Sequence, residues 1–207
     1  MILSFPTDRI VGTLDWAAPW NPDTGPALAT GRIQVPDGTA VSLDIRPAAG
    51  SRPSGGGGWE VLADNSGRPI DLAFLRELPP DSIESLSLDR QVLVPSLPAI
   101  SHLTPGLRRL YLPWCGFRDD ALTSIAKLTG LIYLQTFGNQ FSDRGVQQLA
   151  ALRELESLYL EEETLSAAAF DFALRLPRLK RLGLQDVPIS DEELDALRRQ
   201  LPEATVG

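Results

Sequence analysis

From residue 107 onward the sequence repeats itself every 24 residues without a gap. The unit "LRRLYLPWCGFRDDALTSIAKLTG" begins at 107, "LIYLQTFGNQFSDRGVQQLAALRE" at 131, "LESLYLEEETLSAAAFDFALRLPR" at 155 and "LKRLGLQDVPISDEELDALRRQLP" at 179. Upstream, "IESLSLDRQVLVPSLPAISHLTPG" from 83 keeps the front half, and "WEVLADNSGRPIDLAFLRELPPDS" from 59 keeps only the part that reads as helix. A spacing held over consecutive units demands one small structural unit used repeatedly, with neighbours burying each other's apolar face.

Each unit opens LxxLxL, then two residues, a variable position, one residue and an apolar residue. One column holds Ile83, Leu107, Leu131, Leu155 and Leu179; the next holds Leu86, Leu110, Leu134, Leu158 and Leu182. Over residues 59 to 207 this resembles the leucine-rich repeat family. The resemblance implies a right-handed α/β solenoid with a parallel sheet on its concave side and helices on its convex side. It also implies that an Asn or Cys at the ninth position satisfies the turn after each strand from inside. Here that column reads Gln91, Cys115, Asn139, Glu163 and Val187. The only cysteine is thereby expected to be architectural, since a catalytic thiol needs an exposed, electropositive setting. Glu163 and Val187 depart from the pattern and predict deformed turns.

The second half of each unit reads as helix. Leu122, Ile125 and Leu128 share a face, as do Val146, Leu149 and Leu152. Starts are expected at Asp119, Ser142–Asp143, Ser166 and Ser190, the last with Glu193 as a capping box. "LPEATV" near the end predicts one more strand at 204–206. Residues 1–58 do not repeat: "RIVGTLDW", "ATGRIQVP" and "AVSLDIR" predict a small antiparallel β-rich module that caps or flanks the repeats. The run "RPAAGSRPSGGGG" reads as a link, because no phosphate-loop Lys-Ser/Thr follows its glycines.

Composition narrows the partner. Six basic residues stand against ten acidic before residue 83, and thirteen against seventeen from there on, for a net charge of −8 with no basic stripe. That argues against nucleic acid or an anionic membrane as the main partner. A lone cysteine and a lone histidine, His102, offer neither a disulfide nor a zinc site. The "EEE" run at 161–163 alternates faces and makes a poor calcium site. No cofactor or metal is expected. "MILSFPTDRI" lacks the basic start and apolar run of a secretory leader, so a cytoplasmic location is expected.

In a strand, residues between the leucines face outward. Tyr111, Tyr133 and Tyr159, the three tyrosines of the chain, all fall on such concave positions. Tyr111, Gln135 and Tyr159 form one column, and Arg109 and Arg181 share that of Tyr133. Trp114 and Phe137 follow at the strand ends, with Glu161 and Glu162 on the rim. Aromatics mixed with arginine make the composition of a recognition hot spot; the same rings could also simply cover one another. With no convergent acid, base and nucleophile, the expectation is a non-enzymatic scaffold that binds a protein or peptide. Assembly as a monomer or homodimer, and a ligand-binding or catalytic N-terminal module, stay open as alternatives.

Overall fold

The computed structural model describes residues 1–7, 13–16, 27–29, 31–35, 41–45, 70–88, 94–161 and 164–207. The glycine-rich link, the ladder positions Gln91 and Glu163, and the rim residue Glu162 lie outside them. The repeat strands are β6 (Ser85–Leu88), β7 (Arg109–Pro113), β8 (Tyr133–Phe137), β9 (Ser157–Glu161) and β10 (Arg181–Gly183), each starting 24 residues after the last. They pair in parallel and in register, so Leu86, Leu110, Leu134, Leu158 and Leu182 stand side by side. These leucines are almost fully buried. Burying each is worth about 1.5–3 kcal/mol, which is why the register does not slip: a shift of one residue would turn the whole row outward. The expected last strand is present as β11 (Thr205–Val206), parallel to β10.

The front of the chain contributes β1 (Ile2–Ser4), β2 (Thr13–Trp16), β3 (Ala27–Leu28), β4 (Arg32–Gln34) and β5 (Val41–Ile45). β1 and β4 form a separate antiparallel pair. β2 pairs antiparallel with both β3 and β5, as the sequence predicts. β5 does something the sequence did not signal: it pairs in parallel with β6, Leu43 beside Leu86 and Ile45 beside Leu88. The repeat sheet therefore runs on into the front segment as nine strands in the order β11-β10-β9-β8-β7-β6-β5-β2-β3. Val41, Leu43 and Ile45 join the same core as the repeat leucines.

The convex layer is helical, as expected, and mixes α and 3-10 segments. α1 (Asp119–Ile125) and α2 (Asp143–Val146) are short, and α2 tightens into a 3-10 segment at Gln147–Ala151. The segments Leu72–Glu77, Val94–Leu103 and Ala167–Arg175 are 3-10 throughout, and among the described residues only α3 (Asp191–Gln200) is a long α-helix. A 3-10 turn rises about 2.0 Å per residue against 1.5 Å in an α-helix, so few residues can span a unit that must return to the next strand. Pro98 inside its segment also removes one helical donor. The apolar faces fall where expected, with Leu122, Ile125, Leu128, Val146, Leu149 and Leu152 all buried.

Two polar ladders tie unit to unit. In the buried one, Asn139 Nδ2 donates to Leu112 O (2.9 Å) and Phe137 O (3.3 Å), while its Oδ1 accepts from Phe117 N (3.1 Å). Cys115 Sγ donates to Leu88 O (3.0 Å) one unit earlier. Cys115 is buried and bonded within the inner turn, at the ladder position the repeat assigns to it. Val187 can donate nothing from its side chain; its turn closes through its own N–H to Leu184 O (3.3 Å), with Asp186 left-handed at φ 59°. The outer ladder links helix starts. Asp119 accepts from Ser142 N (2.8 Å) and Ser142 Oγ (2.5 Å), and Asp143 accepts likewise from Ser166 at 2.9 and 2.5 Å. The next unit has Ala167 where the aspartate would be, so Ser190 turns to Glu193 of its own helix and forms the predicted capping box.

Candidate interaction face

The concave face is set by the parallel register of β7 to β10. Tyr111 pairs with Gln135, Gln135 with Tyr159, and Tyr159 with Gly183. In the neighbouring column Arg109 pairs with Tyr133, Tyr133 with Ser157, and Ser157 with Arg181. The tyrosines are thus diagonal neighbours, and their rings meet: Tyr111 to Tyr133 at 5.0 Å between centroids, Tyr133 to Tyr159 at 5.5 Å, tilted by 37° and 36°. All three are half-buried. They cover one another in part and still present one continuous surface. The Tyr133 hydroxyl donates to Gln135 Oε1 at 2.9 Å. Burial, followed by the charges of Tyr111, Tyr159 and Glu161, pushes the Tyr133 phenol up to about 12.

Glycines let the rings lie down. A Cβ built on Gly183 would fall 2.3 Å from Tyr159 Cδ1, so only glycine leaves room for the Tyr159 ring to rest on β10. A Cβ on Gly138 would fall 2.0 Å from Trp114 Cε3, and Gly138 itself sits at φ +66°. Trp114 is 54% exposed, left-handed at φ 53°, and meets Phe137 edge-on at 5.7 Å. Trp114, Phe137 and Glu161 therefore mark the trailing edge of the concave face, where the strands end.

Charge is distributed unequally over the two edges. At the leading edge Arg109 is ion-paired with Glu84, and Lys180 with Glu156. Arg181 is exposed and donates to Ser157 Oγ at 3.2 Å. The hydrogen bond from Lys180, and then the charges of Lys180, Arg178 and Arg181, hold Glu156 below the usual carboxylate range. At the trailing edge Glu161 is shifted the other way, raised first by burial and then by the charge of Asp186. Of the residues expected at the face, Tyr111, Tyr133, Tyr159, Gln135 and Arg109 come together at its centre and leading edge, and Trp114, Phe137 and Glu161 at its trailing edge. Arg181 stands at the far end of its column. Sequence reasoning missed Gly183 and Asp186. A glycine in the column Tyr-Gln-Tyr-Gly was the available signal for the first, and nothing in the repeat pattern marked the second.

His102, a partly buried residue on the convex side, shares a 2.9 Å hydrogen bond with Leu78 O through Nε2. Among the described residues no group of three or more His, Cys, Asp or Glu could hold a metal ion. No helix among them is long and apolar enough to cross a membrane.

Leucine columns in register at a 24-residue spacing, a cysteine and an asparagine laddering the inner turns, and an open concave sheet give the chain an α/β leucine-rich repeat fold. No protein-family model and no curated protein matches the sequence. Among solved structures the fold is similar to a leucine-rich repeat protein of Leptospira interrogans, at 23% identity and a TM-score of 0.43 over 61% of this chain and 31% of that one. It is similar to an internalin (InlF) of Listeria monocytogenes at 20% identity and 0.42, over 70% of this chain and 53% of that one. It is also similar to TLR13, in a structure of the TLR13–ssRNA13 complex, at 21% identity and 0.42 over 64% and 19%. This chain spans less than two thirds of each of those chains.

Proposed function

We propose that the protein is a non-enzymatic, cytoplasmic interaction scaffold that takes a protein or peptide partner on its concave face, across Tyr111, Tyr133 and Tyr159. The observation that carries this reading is the ring stack itself: three half-exposed tyrosines held in contact on a face whose core requirement is already met by leucine. Tyrosine offers a large, stiff contact area with a hydrogen-bonding tip, and arginine a fixed fork of donors, so their combination on an open surface favours recognition. Gln135, Arg109 and Arg181 supply polar contacts beside the rings, and Trp114 and Phe137 extend the apolar area. Glu161 and Glu162 on the rim add charge selectivity.

In this reading residues 1–58 are the cap of the 59–207 repeat domain. The support is the pairing of β5 with β6, which covers an edge and an apolar end that a solenoid cannot leave bare.

The test is affinity capture from native lysate with immobilised wild type and the Tyr111→Ala/Tyr159→Ala variant. Circular dichroism and light scattering report the fold and assembly of each. The expected result is a partner held by the wild type and lost by a variant that stays folded. A partner held equally by both refutes the concave face as the contact. A wild-type homodimer that the same variant dissolves, with no other protein captured, would make self-association the function of the face.

A further inference from the structure

The two edges of the concave face are not electrically alike. At the leading edge the basic side chains have acidic neighbours: Arg109 is ion-paired with Glu84, Lys180 with Glu156, and Arg181 acts on Glu156 as well. At the trailing edge Glu161 and Asp186 enter no ion pair among the described residues, and the charge of Asp186 is felt at Glu161. Glu161 follows Tyr159 by two residues on β9, on the same face, and pairs across the sheet with Phe137. The Tyr159 ring rests against Gly183. An aromatic surface and two uncompensated carboxylates therefore share one edge, and both attract a cation with an apolar stem.

We infer that the trailing edge takes a basic segment of the partner, an arginine or lysine side chain lying along Tyr159 and Phe137 with its cationic head between Glu161 and Asp186. This rests on the concave-face reading above and adds the partner's chemistry to it. An acidic segment would meet the like charge of both carboxylates there, and would find Arg109 already engaged.

The direct test is a titration of the full chain with tetra-arginine amide, followed by NMR at low salt. The expected shifts centre on the trailing ends of β8, β9 and β10. In the Glu161→Gln/Asp186→Asn variant the affinity falls about five-fold or more, as loss of a local charge pair predicts. Asn tolerates the left-handed backbone at 186, so this variant keeps the fold. A control variant, Glu192→Gln/Glu203→Gln, removes two exposed carboxylates elsewhere and should change affinity by less than about two-fold if attraction is local. Equal binding by wild type and E161Q/D186N, or an equal loss in the control, overturns the inference. The captured partner separates the two levels. If it is lost by Y111A/Y159A and kept at full strength by E161Q/D186N, the basic-segment inference fails and the concave-face reading stands. If it is kept by Y111A/Y159A, both fail.

Discussion

Tyr133 sits at the middle of the ring stack, and its phenol is the group whose chemistry reports the stack most simply. An ordinary tyrosine ionises near 10.0; in the fold Tyr133 is pushed up to about 12, chiefly by burial. The folded state therefore holds the proton more tightly than the unfolded chain does. That contribution to stability is complete below about pH 10 and is lost as pH rises through about 12. An ultraviolet absorbance titration should show a late phenol step near 12, and Tyr133→Phe should remove that step and flatten the alkaline loss of stability. A titration with no late step, or one that Tyr133→Phe leaves unchanged, would contradict the packing described for this face. The side on which each tyrosine lies was readable in the sequence, because a strand's period of two leaves no choice once the leucines are placed. That the Tyr159 ring leans onto Gly183 was not, since ring direction depends on free space in the next unit, and a pattern of leucines carries no record of empty space.

Between elements, the ladders convert a stack of units into one body. Asn139 bonds Phe117 N, Leu112 O and Phe137 O, the last of which also accepts from Trp114 N, so Asn139→Ala removes buried hydrogen bonds and should cost about 1–3 kcal/mol in urea unfolding. Cys115 bonds through sulfur, a weak donor, to Leu88 O and, at 3.6 Å, to Pro113 O, so Cys115→Ala should cost clearly less than Asn139→Ala. A reversed order would mean that volume, and not hydrogen bonding, decides these positions. The inner ladder was legible as a column at the ninth position of each unit. The outer one was not: "SD" reads as a helix start, which it is, but the aspartate serves the serine of the following unit, and only stacked coordinates reveal that. Which helical segments are α and which 3-10 was hidden for a related reason. Over one or two turns, 3-10 and α segments both place residues three apart on one face, so Leu122, Ile125 and Leu128 look the same in either.

Across the whole molecule, the sheet is continuous from β11 to β3. The front segment was legible as β-rich and antiparallel within itself. Its parallel junction with β6 was hidden, since β5 lies about forty residues upstream of the strand it joins and carries no repeat signal. Removing residues 1–58 strips the partner from β6 and uncovers Leu86 and Leu88. The remaining 59–207 fragment should unfold at lower urea than the full chain and self-associate in light scattering; a monomeric fragment with an unchanged midpoint would show that β5 caps nothing. The same continuity makes the concave face a single surface, and the central claim is that this surface is where a partner sits. Hydroxyl-radical footprinting of the captured complex tests it most directly. Tyr111, Tyr133 and Tyr159 should be protected relative to the free protein while Leu174, exposed on the convex layer, labels as before. Tyrosines labelled equally in both states, with protection moved to the convex layer, would contradict the account.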